Sequence, residues 1–121
     1  MAVFEYQDLV VWQRSMDLAE EVYRLARMLP KKELLELSSQ MRRAAVSIPS
    51  NIAEGHDRKS SKEFIHFLTV ARGSRSELET QLAICVRVGY LSESDISSAI
   101  ALLREIGKML NALIAKLSAR S

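Results

Sequence analysis

The chain has 121 residues, 48% apolar and 6% aromatic, with four Gly, two Pro and a net charge of +2. That length allows one domain. Little Gly, Pro or aromatic residue beside abundant Leu, Ala, Ile, Arg and Glu marks a helical chain, which excludes turn-rich β-sandwiches and barrels, and so apolar a chain is not disordered.

Three breaks divide the sequence, at Pro30-Lys31-Lys32, at Gly55 to Ser61 and at Gly89-Tyr90-Leu91-Ser92. They predict helices near 8–29, 33–55, 61–88 and 93–118. Connections this short make antiparallel neighbours, so the expected fold is an all-α up-down four-helix bundle spanning residues 1–121. Helix one carries two apolar rows. Leu9, Trp12, Met16, Ala19, Tyr23 and Ala26 form one; Val11, Leu18, Val22, Leu25 and Leu29 form the other. The rows lie over about 90° apart at 100° per residue, and a surface helix needs only one. The first row is assigned to the protomer core and the second to contact with another subunit, giving a homo-oligomer. The alternative is a monomer in which helix one is unusually central.

Helix two buries Leu34, Leu37, Met41, Ala45, Ile48 and Ile52. Pro49 lies within it and is expected to kink it, the lesser option being a break with Ser47 capping a new helix. Ser60 or Ser61 caps helix three, with Glu63 in its first turn. That helix buries Phe64, Phe67, Leu68, Ala71, Leu78, Leu82 and Cys85; Ile65, Val70, Ile84 and Val88 lie off the row and extend the oligomer surface. Gly89 occupies a helix C′ position, and Ser92 with Asp95 forms a capping box for helix four. Helix four runs Ile96, Ile100, Leu103, Gly107, Leu110, Ile114 and Leu117 in steps of four and three, a bundle seam.

The overall charge conceals a gradient. Residues 1–41 carry −2, residues 42–75 carry +4 and residues 76–121 are neutral. The basic middle holds Arg42, Arg43, Arg58, Lys59, Lys62, Arg72 and Arg75. Clustered cations release counterions from nucleic-acid phosphates, so these seven are the candidate nucleic-acid contacts, against the plainer alternative of solvated helix surface. Arg75 projects near the apolar row with Glu79 four residues on, the spacing of a helical ion pair. A structural role competes with phosphate contact there.

Other chemistry finds no support. The single Cys85 excludes an internal disulfide and a Cys-based zinc site. A di-metal bundle needs two Glu-x-x-His motifs; only Glu63-Phe64-Ile65-His66 is present, so no metal and no cofactor is expected. His56 and His66 are read as surface residues, and Trp12 and Tyr23 as core. Gly73, mid-helix and off the row, is read as a close helix contact or a local bend. Neither a phosphate loop nor a nucleophile elbow occurs, so no catalytic residue is assigned and the protein is not expected to be an enzyme. With no membrane-length apolar run and no secretory signal in Met1 to Trp12, a cytoplasmic protein is expected.

Several segments together resemble a known family. They are Val11-Trp12-Gln13, the run from Gln40-Met41-Arg42-Arg43 through Ser47-Ile48-Pro49-Ser50-Asn51-Ile52-Ala53-Glu54-Gly55, Glu63-Phe64, Ala71-Arg72-Gly73-Ser74, Glu77-Leu78-Glu79-Thr80-Gln81-Leu82 and Gly89-Tyr90-Leu91. Over about residues 4 to 115 the chain resembles the bacterial 23S rRNA intervening-sequence proteins. The resemblance implies a four-helix protomer in a ring-like homopentamer, with no attributed catalysis. That family is in turn similar to the accessory protein of diversity-generating retroelements, which binds nucleic acid and a reverse transcriptase. The implied partners are therefore RNA or DNA, or a polymerase-like protein for which the bundle is a scaffold. Glu36, where the family often has Gly, and Arg75, where it often has an apolar residue, depart from its pattern.

Overall fold

A computed structural model describes residues 5–120. A 3-10 turn at Tyr6–Asp8 leads into α1, Val10–Ala26; a second at Lys31–Glu33 precedes α2, Leu37–His56; α3 is Ser61–Arg87 and α4 is Glu93–Arg120. No strand occurs among the described residues. Each helix packs on its two neighbours in the cyclic order α1, α2, α3, α4, with α2 and α3 in the most extensive contact. No described helix is long and apolar enough to cross a membrane.

The helix ends follow from local chemistry. Ser60 Oγ accepts the Glu63 N–H at 3.1 Å and starts α3. At the start of α4 the Ser92 N–H donates to Asp95 Oδ2 at 2.8 Å and the Asp95 N–H to Ser92 Oγ at 3.0 Å, so the expected capping box is complete. Gly89 has φ +85°. The Gly89 N–H bonds to Val86 O and the Tyr90 N–H to Cys85 O, the two bonds of a Schellman stop. α2 begins later than the sequence predicts. Residues 31–36 form tight turns after Pro30, and Leu34 and Leu35 are exposed. Leu34 is therefore not a core residue. Glu33 organises this connection: its carboxylate accepts the Leu37 N–H at 3.4 Å and the Tyr90 hydroxyl at 2.7 Å. The Tyr90 hydrogen bond, then the Leu37 one, hold its pKa below the ordinary value. α2 then passes through the buried Pro49 without a break, so Ser47 caps no new helix. Its hydroxyl instead meets Ser74 Oγ at 2.8 Å and accepts from Asn51 Nδ2 at 2.9 Å.

The core takes Leu18, Val22 and Leu25 from α1, Met41, Ile48 and Ile52 from α2, Leu68, Leu78 and Leu82 from α3, and Leu103, Ile106 and Leu110 from α4, all fully buried. Each such side chain stabilises the fold by roughly 1.5–3 kcal/mol. This overturns the assignment of the two rows on α1. Val11, Leu18, Val22, Leu25 and Leu29 lie inside the protomer and cannot form a contact between subunits. Ser15 completes their row, hiding its hydroxyl by donating to Val11 O at 2.7 Å. The other row faces outward at its centre: Met16 and Tyr23 are each 40% exposed, while Leu9 and Trp12 are half-buried and Ala26 is buried. Tyr23 is thus not a core residue. On α3, Val70, Ile84 and Val88 are exposed and Ile65 is half-buried, as their positions off the row require.

Candidate nucleic-acid interface

The seven selected cations occupy three separate places. Arg58, Lys59 and Lys62 lie at the α2–α3 turn. Arg58 Nη2 donates to Glu54 Oε2 at 2.9 Å, and its guanidinium sits 4.9 Å from the Phe67 ring centroid, a cation–π contact. Both partners of the ion pair are exposed, so solvent screens it. Lys59 and Lys62 are exposed and make no hydrogen bond or ion pair with any described residue. The turn is shaped by Gly55, which is buried within α2 rather than beyond its end. A Cβ there would lie 2.7 Å from Phe67 Cβ and 2.9 Å from Phe64 Cδ1, so the glycine lets α3 cross close to α2.

Arg42 and Arg43 stand fifteen or more residues back along α2, about 22 Å from Arg58 at 1.5 Å per residue. Arg42 Nη2 donates to Leu34 O at 3.3 Å and closes the preceding connection. Arg43 is exposed and unpaired among the described residues. It stands between two open hollows. One, of about 440 Å³, is lined by Tyr23, Ser39, Arg42, Val46 and Ser50 besides Arg43 itself; the other, of about 290 Å³, by Gln40, Ser47, Ser74 and Glu77 with Arg43.

Arg72 and Arg75 belong to the α3–α4 contact. Arg72 Nη1 donates to Asn111 Oδ1 at 3.1 Å. Arg75 is turned inward, its side chain only 18% exposed, and pairs with Glu79 at 3.7 Å. It also donates from Nη1 to Leu103 O at 3.2 Å. Its shaft crosses Gly107, where a Cβ would lie 3.2 Å from Arg75 Nε. Arg75 is therefore a packing residue, and Gly107 on the α4 seam makes its room. The i,i+4 spacing within α3 showed the Arg75–Glu79 pair, but Gly107 lies on α4 and only the packing of the two helices places it beneath Arg75.

Elsewhere the chemistry is inert. Cys85 is buried, its sulfur 3.7 Å from Met41 Sδ, and burial, with Glu33 nearby, pushes its thiol up to about 11. A thiol so protonated is no nucleophile at neutral pH. His56 is mostly covered, edge-on to the Phe64 ring at 5.8 Å, contrary to its reading as a surface residue; His66 is exposed, edge-on to Phe67. Among the described residues nothing beyond its chain neighbours lies within 4 Å of a Cβ placed on Gly73, so no close contact with a described helix explains that glycine. Sequence reasoning missed the outward apolar face of α1 and α2. Tyr6, Trp12, Met16, Ala19, Val46, Pro49 and Ala53 line a hollow of about 370 Å³ there, and Tyr23 continues it.

Against known proteins, the model of the 23S rRNA-intervening sequence protein family matches residues 7–112. The chain belongs to that family. The 1.70 Å crystal structure of a protein of unknown function from the S23 ribosomal protein family of Bacteroides thetaiotaomicron has the same fold. It aligns with a TM-score of 0.81 at 28% identity, over 88% of this chain and 96% of the other. A comparison with curated proteins finds no match. The four-helix architecture expected from the sequence is thus that of the intervening-sequence family.

Proposed function

We propose that this intervening-sequence family member is a non-enzymatic, cytoplasmic bundle that self-associates and binds structured nucleic acid, RNA foremost, by its phosphates. Arg43, Arg58, Lys59 and Lys62 are the proposed contacts. The observation that carries this is the α2–α3 turn, where Lys59 and Lys62 project with no protein partner among the described residues, beside an Arg58 held by a solvent-screened pair with Glu54 and by the Phe67 ring. Cations left free in the folded protomer are available to displace counterions from phosphate. At the α2–α3 turn the Phe67 ring is covered by Arg58, so backbone contact without base stacking is expected there. The doubly reversed variant Lys59→Glu/Lys62→Glu should lower affinity for a structured RNA about tenfold or more at low salt. Unchanged affinity would contradict the assignment.

Self-association is assigned to the outward α1–α2 face, because Met16, Tyr23 and Val46 are exposed there and line adjoining hollows rimmed by Glu20, Arg27, Arg42 and Arg43. The resemblance implies a ring of five. The alternative is a scaffold that seats a polymerase-like protein, and the same apolar face favours it. If charge reversal at Arg58, Lys59 and Lys62 abolishes RNA binding and spares partner binding, the two surfaces are separate.

A further inference from the structure

The neutral balance of residues 76–121 dissolves once the helices are placed. On α4, Glu93 and Asp95 lie in the first turn, and Asp95 is held in the Ser92 cap. Glu105 accepts from Arg14 Nε of α1 at 3.1 Å, so it turns away from α3. Arg104 and Lys108 are left on the α3 side. They are four residues apart and therefore share a side of the helix. Both are exposed, and neither makes a hydrogen bond or ion pair with a described residue.

The register of α3 against α4 adds Arg72 to them. Arg75 bonds to Leu103 O and crosses Gly107, while Arg72 bonds to Asn111. Arg72 therefore comes alongside the turn that presents Lys108. Of the acidic side chains beside them, Glu79 is engaged by Arg75 and Glu105 by Arg14. Gly73 and Ser76 on α3 and Ala101, Ala112 and Ala115 on α4, within two helical turns of these cations, are all exposed. These side chains are small, and no described residue beyond its chain neighbours lies within 4 Å of a Cβ placed on Gly73.

We propose that the α3–α4 face binds the phosphodiester backbone of double-stranded RNA through Arg72, Arg104 and Lys108. This rests on the nucleic-acid reading and adds to it a contact surface separate from the α2–α3 turn, together with the class of RNA. A duplex fits better than a single strand. α4 carries no aromatic residue and α3 none after Phe67, and single strands are held largely by stacking on aromatics. Duplex RNA is held by shape and by backbone contacts.

The test is a fluorescence anisotropy titration of the full chain against a fully paired RNA hairpin and an unpaired oligonucleotide of the same length, over a range of salt. Wild type should prefer the hairpin. Arg104→Glu/Lys108→Glu should weaken hairpin binding about tenfold or more, and Arg104→Gln/Lys108→Gln should lower the salt slope by about two. Circular dichroism should show all variants folded, since both positions are exposed; should the Glu pair fail to fold, the Gln pair decides alone. Wild-type affinity in the Gln and Glu variants, with loss in Lys59→Glu/Lys62→Glu, would overturn this face and leave the nucleic-acid reading standing. Preference for the unpaired strand would overturn the duplex assignment. No binding by wild type would overturn both.

Discussion

At the scale of single residues, the glycines separate packing from exposure. Gly55 has Phe64 and Phe67 within 3 Å of where a Cβ would stand, whereas Gly73 has nothing within 4 Å. Gly55→Ala should destabilise the protomer by about 1–3 kcal/mol through overpacking, against a gain in helix propensity of about 1 kcal/mol. Gly73→Ala should stabilise it by about 0.5–1 kcal/mol. Urea midpoints of the two variants should move in opposite directions; a stable Gly55→Ala would mean that the α2–α3 crossing yields easily. The sequence placed Gly55 at a break and read Gly73 as a close helix contact or a local bend, the reverse of where the close contact lies. Only the neighbour across the helix contact tells them apart, which is also why Gly107 could be seen as a seam position but not as the seat of Arg75.

At the scale of elements, caps and stops were legible because their partners lie within three or four residues. Ser60, Ser92 with Asp95, and Gly89 all act as their spacing predicts. The start of α2 was not legible, since Glu33 reaches across to Tyr90, 57 residues on. The two rows of α1 were equally periodic, so periodicity could not rank them. The all-aliphatic row with Ser15 in its gap went inward; the row with Tyr23 and Met16 at its centre stayed out. The Glu33–Tyr90 bond has a pH signature. Glu33 has its folded pKa depressed, first by Tyr90 and then by Leu37, so its contribution is present above the ordinary carboxylate value of 4.5 and is lost as pH falls through the depressed value. Tyr90→Phe should therefore cost stability at pH 7, and the difference from wild type should narrow in acid below pH 4.5. A difference in unfolding midpoint independent of pH would show that the bond contributes nothing to the linkage.

At the scale of the whole molecule, the bundle divides its surface. The α1–α2 side carries an apolar hollow bordered by Arg42 and Arg43, the α2–α3 turn carries free lysines, and the α3–α4 side carries a further group of cations. Met16→Glu/Tyr23→Glu should leave the protomer folded and shift its mass in light scattering to that of a monomer. Leu18→Ala, in the row that sequence alone assigned to the subunit contact, should instead cost about 2–5 kcal/mol of stability. A wild-type monomer at micromolar concentration would refute self-association. Charge counted along the chain gave a basic middle third, but charge counted on the folded surface gives the α2–α3 turn, the α3–α4 face and Arg43 apart from both, with Arg75 in none of them. The central claim is that phosphate contact drives binding. A titration of structured RNA at a series of salt concentrations tests it most directly. The log of the binding constant should fall linearly with the log of salt, with a slope of about −0.9 per phosphate neutralised on a duplex. Absence of binding at low salt, or binding with no salt slope, would contradict it.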